Sequence, residues 1–345
     1  MRFLEQTGAD LKSPDEARQQ ESSQVAGISA SGAKWKKLIW PTIGLAAIAV
    51  SFWFLARELH DMSWEALWAG FAAITPAHWG LIVLCTLSCY VNLALYDVIA
   101  LQHLNKKVGF GFVSGCALTT YSLAHAIGAS AFTGAVIRYR AYTTKGLSGP
   151  EVGVLVTFCS LTFSLAVMIV LATAFLVTPD LGARLTEFLS PALVHWLAVA
   201  TLGVVLAYLI SSALGLPGLR IRNFHISYPR LPIALKQVTI APVELLFAAG
   251  ILYFALPAEG NPGYMAVMGV FVVGFSLALL SHAPGGIGVF ELAVITGLPE
   301  FEPETVLAAL LVFRMFYLIL PLLLGLVLVA LFEHGQLRGK HHPAA

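Results

Sequence analysis

Long apolar runs recur along the chain and alternate with short polar segments. A helix needs about 20 predominantly apolar residues to cross the hydrocarbon core of a bilayer. Six uninterrupted runs are close to this length or longer and carry almost no charge. They span residues 38–55, 79–101, 152–177, 192–214, 233–256 and 305–332. The pattern predicts an all-α polytopic membrane protein with about six full spans.

Two further apolar runs, 110–137 and 264–297, are interrupted near their middles by small residues, Gly and Pro. The interruptions read HAIGAS from His125 and HAPGGIG from His282. Backbone that leaves the helix at membrane depth is tolerated only where protein or a water-filled cavity satisfies its polar groups. We therefore interpret each of these runs as a broken helix and not as a simple span.

Basic residues fall mostly on one side of the predicted spans, and Arg184 is one of two that fall on the other side. Lys and Arg in short loops mark the cytoplasmic side, so we expect both termini to be cytoplasmic. On this assignment Lys106, which precedes the run 110–137, lies on the same side of the membrane as Arg138, which follows it. The acids that flank the run 264–297 lie together on the opposite side. The sequence therefore predicts two re-entrant helical hairpins that enter from opposite faces.

The two interruptions resemble each other, since both contain the pattern His-Ala-x-Gly. Each predicted hairpin is followed by a Pro-Glu pair, at Pro150 in the first half and at Pro303 in the second. Pro suits the first turn of a helix, and Glu suits the positive end of the helix dipole. Each half reads as helix, helix, hairpin, helix, and the halves start on opposite faces. This order predicts an inverted repeat, a recurring plan of alternating-access transporters.

The composition excludes several other classes of protein. Hydrophobic residues make up 58% of the 345 residues, charged residues make up 11%, and the net charge is +1. This balance does not suit a nucleic-acid-binding protein, and no polar stretch is long enough for a separate catalytic domain. We expect a protein that is not an enzyme and has no cofactor. The predicted organisation is a disordered cytosolic tail over 1–33, a membrane domain over 34–333 with repeat halves 37–178 and 191–332, and a cytosolic tail over 334–345.

Ionisable side chains inside spans are costly and are candidates for function. Asp97 could contact a lipid headgroup or form an interfacial ion pair with Lys106 or Lys107. Glu244 lies in the middle of its span, where its side chain cannot reach water. All four cysteines lie in apolar segments, so no metal site is expected. The candidate pathway residues are Asp97, Arg138, Arg140, Glu244, Glu291 and Arg314.

Several of these candidates have a structural alternative. Arg138 and Arg140 end the first hairpin, where a guanidinium can bind a phosphate with two hydrogen bonds or can simply anchor the helix. Glu291 and Arg314 could form a buried pair that only holds the second hairpin. The histidines of the interruptions could relay protons or cap the broken helices. The candidate hinge residues are His125, Gly128, His282, Pro284, Gly285, Gly286 and Gly288.

Several separated motifs, in this order, resemble one known family. They are YDVIALQHLNKK from Tyr96, SLAHAIGASAFTGAVIRYRAYTTKGLS from Ser122, FCSLTF from Phe158, PGGIGVFE from Pro284 and VFRMFYLILPLLLG from Val312. The sequence resembles the flippase-like transmembrane domain of lysylphosphatidylglycerol synthase, the multiple peptide resistance factor family. The resemblance covers about residues 37–332.

The resemblance implies a multi-pass protein of the bacterial inner membrane that moves an aminoacylated phosphatidylglycerol, or a similar lipid, between leaflets. It implies functional roles for Asp97, Arg138, Glu291 and Arg314, whereas Glu244 is added from its mid-span position. Bifunctional members of the family carry a soluble aminoacyltransferase domain, but this chain stops at Ala345. A separate synthase is therefore expected as a partner, or the substrate is another lipid. An oligomer is compatible with the sequence.

The resulting hypothesis is a lipid translocase in which Arg138 and Arg140 bind the phosphate while Asp97, Glu244 and Glu291 attract a cationic headgroup. One alternative is a proton-coupled secondary transporter of small solutes, with His125 or His282 carrying the proton. Another alternative is a non-transporting scaffold that recruits a lipid synthase. A sealed pocket without a lateral opening would favour the small-solute transporter.

Overall fold

The computed structural model of the protein describes residues 64–127, 130–178, 180–185, 190–216, 219–221, 224–226, 228–281 and 286–340. The predicted tail 1–33 and the predicted first span 38–55 lie outside these residues. So do Gly128, His282, Pro284 and Gly285 of the predicted hinges.

The described part of the chain is almost entirely helical. Its helices are α1 (Trp64–Ala72), α2 (Pro76–His103), α3 (Phe110–Ile127), α4 (Ser130–Thr143), α5 (Gly149–Val177), α6 (Leu181–Leu185), α7 (Pro191–Ala213), α8 (Leu231–Ala255), α9 (Tyr264–Ser281), α10 (Val289–Gly297), α11 (Pro303–Arg314) and α12 (Leu320–Lys340). A single π-helical turn (Met315–Ile319), hereafter the π turn, joins α11 to α12.

The expectation of an all-α fold is confirmed, and the connection between α7 and α8 carries one local addition, a pair of three-residue strands. These are β1 (Leu219–Ile221) and β2 (Phe224–Ile226), which pair antiparallel with Arg220 opposite His225. The local sequence LRIRNFHI alternates apolar and polar residues over much of its length, and this two-residue period suits strands.

Six helices in the described residues are long and apolar enough to cross a membrane. They are Pro76–His103, Gly149–Val177, Pro191–Ala213, Leu231–Ala255, Tyr264–Ser281 and the continuous rod Pro303–Phe332. Five of them confirm uninterrupted runs predicted from the sequence. The sixth, α9, belongs to an interrupted run and is itself long enough to span.

Each interrupted run forms two helices that pack against each other, α3 on α4 and α9 on α10. The predicted helix starts after these runs are confirmed. Helix α5 begins at Gly149 with Pro150 in its first turn, and α11 begins at Pro303. Ser148 and Glu151 form a capping box at the start of α5, with the Ser148 N–H donating to Glu151 Oε2 at 2.8 Å. The depth of the two hairpins and the inverted repeat remain predictions.

Helices α2 and α8 form the centre of the fold and run antiparallel along each other. Cys89 Sγ donates to the carbonyl oxygen of Glu244 at 3.5 Å, and Tyr96 Oη donates to that of Ala241 at 2.7 Å. At the C-terminal end of α2, Gln102 Oε1 accepts a hydrogen bond from Lys236 Nζ of α8 at 2.8 Å. Helices α3, α5, α9 and α11 pack around this central pair.

Arg184 in α6 joins two acidic segments, one directly before α6 and one directly before α11. Its guanidinium donates to Asp180 Oδ2 at 2.7 Å and also to Glu300 Oε1. The hydrogen bond from Arg184 lowers the pKa of Asp180 below its ordinary value. Two carboxylates thus neutralise this arginine, which the sequence predicts to lie on the side opposite to most basic residues.

The last residue of α10 sets a close contact between α9 and α10. A Cβ built on Gly297 would lie 2.5 Å from Val270 Cγ1 and 2.8 Å from Val270 Cγ2. Val270 is fully buried, and its β-branched side chain has little rotamer freedom in a helix.

We expect Gly297→Ala to lower the free energy of unfolding by about 1–3 kcal/mol, because the added methyl overpacks this contact. Thermal unfolding of the purified protein in detergent measures the effect. Gly203→Ala is the matched control, since nothing lies within 4 Å of a Cβ at that helical position. Equal stability of the two variants would contradict the close contact between α9 and α10.

Candidate functional site: buried charges beside a lateral groove

Asp97 and Arg138 form a buried ion pair between α2 and α4. Arg138 Nη2 donates to Asp97 Oδ1 at 2.7 Å, and Nε donates to Oδ2 at 3.2 Å. The carboxylate also accepts from Tyr142 Oη at 2.8 Å and from Cys159 Sγ at 3.4 Å. Asp97 is fully buried and Arg138 is 4% exposed. Both charges are therefore neutralised inside the protein.

This arrangement corrects two sequence expectations. The ion-pair partner of Asp97 is Arg138 and not Lys106 or Lys107, because Lys106 Nζ binds Glu151 Oε1 at 2.8 Å instead. Arg138 is also not an open phosphate ligand at the surface, since its guanidinium is held by the carboxylate. Arg140, two residues on, has an exposed side chain.

Glu291 and Arg314 form the second ion pair, between α10 and α11, as one of the sequence alternatives anticipated. Arg314 Nε donates to Glu291 Oε1 at 2.7 Å, and Nη2 contacts the same oxygen. The other oxygen, Oε2, accepts the N–H of Gly288 at 2.6 Å. Gly286 and Gly288 have φ values of 65° and 84°, a region that glycine enters without strain. The backbone N–H at this turn therefore binds the chain's own carboxylate.

Glu244 is the third buried carboxylate and lies near the middle of α8. It is fully buried, and its Oε1 accepts a hydrogen bond from Tyr317 Oη at 2.8 Å. Its Oε2 has no hydrogen-bond partner among the described residues. Unlike the other two acids, Glu244 has no arginine against it in the described structure.

The π turn positions Tyr317 against Glu244. A π turn widens the helix and disrupts the regular backbone bonding, and such turns are frequent at functional sites. The carbonyl oxygen of Tyr317 accepts a hydrogen bond from Tyr90 Oη at 2.9 Å. Tyr317 is therefore fixed at both its backbone and its hydroxyl.

A line of aromatic side chains joins the first ion pair to Glu244. The guanidinium of Arg138 lies over the Tyr121 ring at 4.8 Å. The Tyr121 and His125 ring centroids are 6.2 Å apart, and His125 stacks on Tyr317 at 5.4 Å. His125 is in the last turn of α3, and its Nδ1 has no hydrogen-bond partner in the described structure, so the capping role expected of it is not seen at that atom.

Sequence reasoning missed the side chains that connect the candidates. Tyr317 lies within the quoted motif VFRMFYLILPLLLG, and Tyr142 follows the motif RYR by two residues. Tyrosines in the middle of apolar runs are the available signal, because a buried hydroxyl usually needs a hydrogen-bond partner. The helical periodicity of the sequence gives no indication that the Tyr317 hydroxyl binds Glu244 or that the Tyr142 hydroxyl binds Asp97.

A groove of about 510 Å³ lies between α3, α4 and α12, next to the first ion pair. The side chains that line it are mostly apolar. Several of them are exposed at the outer surface, such as Val136, which is 53% exposed, and Leu331, which is 64% exposed. Arg140 is the charged side chain of its lining. The lining residues are Gly111, Phe112, Gly115, Cys116, Thr119, Leu123, Val136, Ile137, Arg140, Ala141, Leu328, Val329, Leu331 and Phe332. The groove is therefore open at the outer surface of the helix bundle, between exposed apolar side chains.

Metal chemistry has no candidate in this part of the chain. The described residues contain no group of three or more His, Cys, Asp or Glu side chains that could hold a metal ion. The four cysteines are free and buried.

Comparison with known proteins identifies relatives of the whole membrane part. The family model described as lysylphosphatidylglycerol synthase TM region matches residues 42–325. The chain is 28% identical over 295 residues to slr0712 of Synechocystis. The matched residues are 84% of this chain and 90% of slr0712. It is 25% identical over 335 residues to the inner membrane protein YbhN of Escherichia coli. This match covers 92% of this chain and 100% of YbhN.

A third relative is the phosphatidylglycerol lysyltransferase of Staphylococcus aureus strain MRSA252. It is 27% identical over 294 residues, which are 83% of this chain and 33% of that one. The chain thus spans about a third of the length of this relative. The six apolar helices and the match over most of the sequence agree, and the chain belongs to the lysylphosphatidylglycerol synthase TM region family of multi-pass membrane proteins.

Proposed function

We propose that the protein is a lipid translocase that moves an aminoacylated phosphatidylglycerol, or a related lipid, between the leaflets of the bacterial inner membrane. Its activity is transport and not lipid synthesis, and a separate aminoacyl-phosphatidylglycerol synthase supplies the substrate. Both termini are cytoplasmic. The relatives named phosphatidylglycerol lysyltransferase support a phospholipid as the substrate.

The observation that carries this proposal is the lateral groove beside the buried ion pair. A translocase must admit a polar headgroup while the acyl chains stay in the bilayer, so its substrate site needs a sideways opening. A transporter of small soluble ions needs a site closed to lipid. The groove therefore favours a lipid substrate over the small-solute alternative.

Arg140 is the first contact for the lipid phosphate in this proposal, because it lines the groove. Arg138 is reached only when Asp97 releases it. A headgroup that carries both a phosphate and an ammonium can replace both partners, the phosphate on Arg138 and the ammonium on Asp97. Glu244 and Glu291 then attract the ammonium deeper in the protein. The ion pair thus keeps the pathway closed until a headgroup of matching charges arrives.

The interruptions of the two hairpins are the proposed hinges of this movement. They contain His125, Gly128, His282, Pro284, Gly285, Gly286 and Gly288. Arg314 keeps Glu291 and the turn at Gly288 in place while the lipid passes.

Filling the groove is expected to slow translocation. A Cβ on Gly115 meets only Leu328 Cδ1, at 3.9 Å, so a leucine there fills the groove without a clash at its Cβ. We expect Gly115→Leu to reduce crossing by about tenfold, which corresponds to ~1.4 kcal/mol of activation free energy. The assay uses proteoliposomes with fluorescently tagged lysyl-phosphatidylglycerol, and dithionite quenching reports the leaflet.

The matched control for this experiment is Gly203→Leu on α7, another helical glycine with no atom near its Cβ. It lies outside the groove lining and should leave the crossing rate unchanged. Equal rates for the two leucine variants and the wild type would contradict the groove as the route of the lipid. Absence of crossing for tagged lysyl-phosphatidylglycerol and tagged phosphatidylglycerol in the wild type would contradict the translocase itself.

The charge pair can be tested for a role beyond stability. Asp97→Asn leaves Arg138 buried without its counter-charge, and we expect a loss of about 3–5 kcal/mol in the free energy of unfolding. The double variant Asp97→Asn/Arg138→Gln removes both charges and should regain most of that stability. We expect it still to lack lipid crossing, because the headgroup then finds no pair of opposite charges between α2 and α4 to bind on its way past Arg140. Recovery of crossing together with stability would show that the pair only holds the fold.

A further inference from the structure

Three polar atoms where α3 and α8 meet the π turn are buried without hydrogen-bond partners in the described structure: Glu244 Oε2, His125 Nδ1 and Tyr121 Oη. Both Glu244 and His125 contact Tyr317. The Tyr317 hydroxyl donates to Glu244 Oε1 at 2.8 Å, and the rings of His125 and Tyr317 stack with their centroids 5.4 Å apart. Tyr121 lies beside His125. These atoms therefore share one region of the core and are not scattered defects.

The buried charges in this core do not balance. Among the described residues, three buried carboxylates stand against two arginines, and each arginine is already paired, Arg138 with Asp97 and Arg314 with Glu291. An isolated carboxylate at membrane depth costs several kcal/mol, a cost that is removed when the group binds a cation or a proton. Glu244 is the acid that remains.

The groups around Glu244 and His125 are neutral. Cys89 of α2 donates its thiol hydrogen to the carbonyl oxygen of Glu244. Tyr96 donates to the carbonyl oxygen of Ala241, one turn away on α8, and Tyr90 donates to that of Tyr317 in the π turn. His125 faces Tyr121, Tyr317 and Phe275, the last at 5.9 Å. The cation along this line is Arg138, which lies on the far side of Tyr121 and is paired with Asp97. In the part of the chain that the structure describes, none of these groups supplies a positive charge to an ionised Glu244.

We infer that Glu244 and His125 form a proton-exchange site, in which a proton and the cationic headgroup of the lipid compete for the Glu244 carboxylate. Because Tyr317 donates to Oε1, the proton is bound at Oε2, the oxygen without a partner. When an ammonium group arrives, the O–H bond of Glu244 breaks and the proton passes to Nδ1 of His125, which then releases it to water. One cation replaces the other, so the charge at Glu244 stays balanced.

This inference rests on the proposed function for the identity of the competing cation, and it adds an energy source. If each state of the site opens to one side of the membrane, movement of a cationic headgroup outward is accompanied by movement of a proton inward. A proton gradient would then drive the lipid. The competition also predicts that the apparent affinity for the cationic lipid rises with pH, by up to about tenfold per pH unit, since the two ligands exclude each other.

The proton site itself is tested by infrared difference spectroscopy on the purified full chain at a series of pH values. We expect a protonated-carboxyl band that disappears as the pH rises and that is missing in Glu244→Gln. Tyr317→Phe should shift the band, because it removes the hydrogen bond to Oε1. His103→Gln, a histidine that stacks on Phe158 outside this core, should leave it unchanged. A titrating band that survives in Glu244→Gln, or no such band at all, would overturn the site.

The coupling is tested in proteoliposomes with tagged lysyl-phosphatidylglycerol and an imposed pH gradient. We expect the gradient to accelerate crossing in the wild type and in His103→Gln, and to have no effect in His125→Phe, which keeps the stacked ring but has no nitrogen. Crossing at a rate independent of the gradient in the wild type would overturn the coupling and leave the translocase standing. No crossing under any gradient would overturn the translocase and its coupling, while the infrared band alone decides the proton site.

Discussion

The interior of a bilayer offers no water to a buried polar group, and this constraint explains the polar contacts in the core of the described structure. Asp97 is surrounded by Arg138, Tyr142 and Cys159, so that both of its oxygens have donors. The carbonyl oxygen of Tyr317 at the π turn accepts from Tyr90. The central helices α2 and α8 are joined by thiol and hydroxyl donors on one helix and carbonyl oxygens on the other. Where a polar atom in such an interior has no partner among the described residues, as at Glu244 Oε2, a function is the natural interpretation.

The two halves of the chain contribute different parts of the candidate site. The first half supplies the Asp97–Arg138 pair, His125 and two walls of the groove, and the second half supplies Glu244, Tyr317 and the third wall on α12. The groove and the aromatic line therefore both cross the boundary between the halves. A relative movement of the halves would change the width of the groove and the contact of His125 with Tyr317 together, and this geometry would link the proposed lipid entry to the proposed proton exchange.

Much of the architecture could be predicted from the sequence, because span length and flanking Pro-Glu pairs are local properties. The runs 79–101 and 233–256 correspond closely to α2 and α8. The charged candidates were also visible individually, since any ionisable residue in an apolar run stands out. Their partners were not, because pairing depends on how helices rotate and pack: Lys106 is close to Asp97 in sequence but binds Glu151. Tyr317 was hidden for another reason, since a tyrosine in an apolar run looks like an ordinary core residue.

The π turn has a consequence for how this membrane domain tolerates changes in length. Before it, α11 packs against α1 and α8, and after it α12 packs against α3. One continuous rod thus presents two different faces, and the offset between them depends on the residue count of the turn. Loss of a single residue would rotate all of α12 by about 100° relative to α11, because an α-helix has 3.6 residues per turn. Insertions are usually absorbed in loops, but in this span one residue more or less would move an entire wall of the groove.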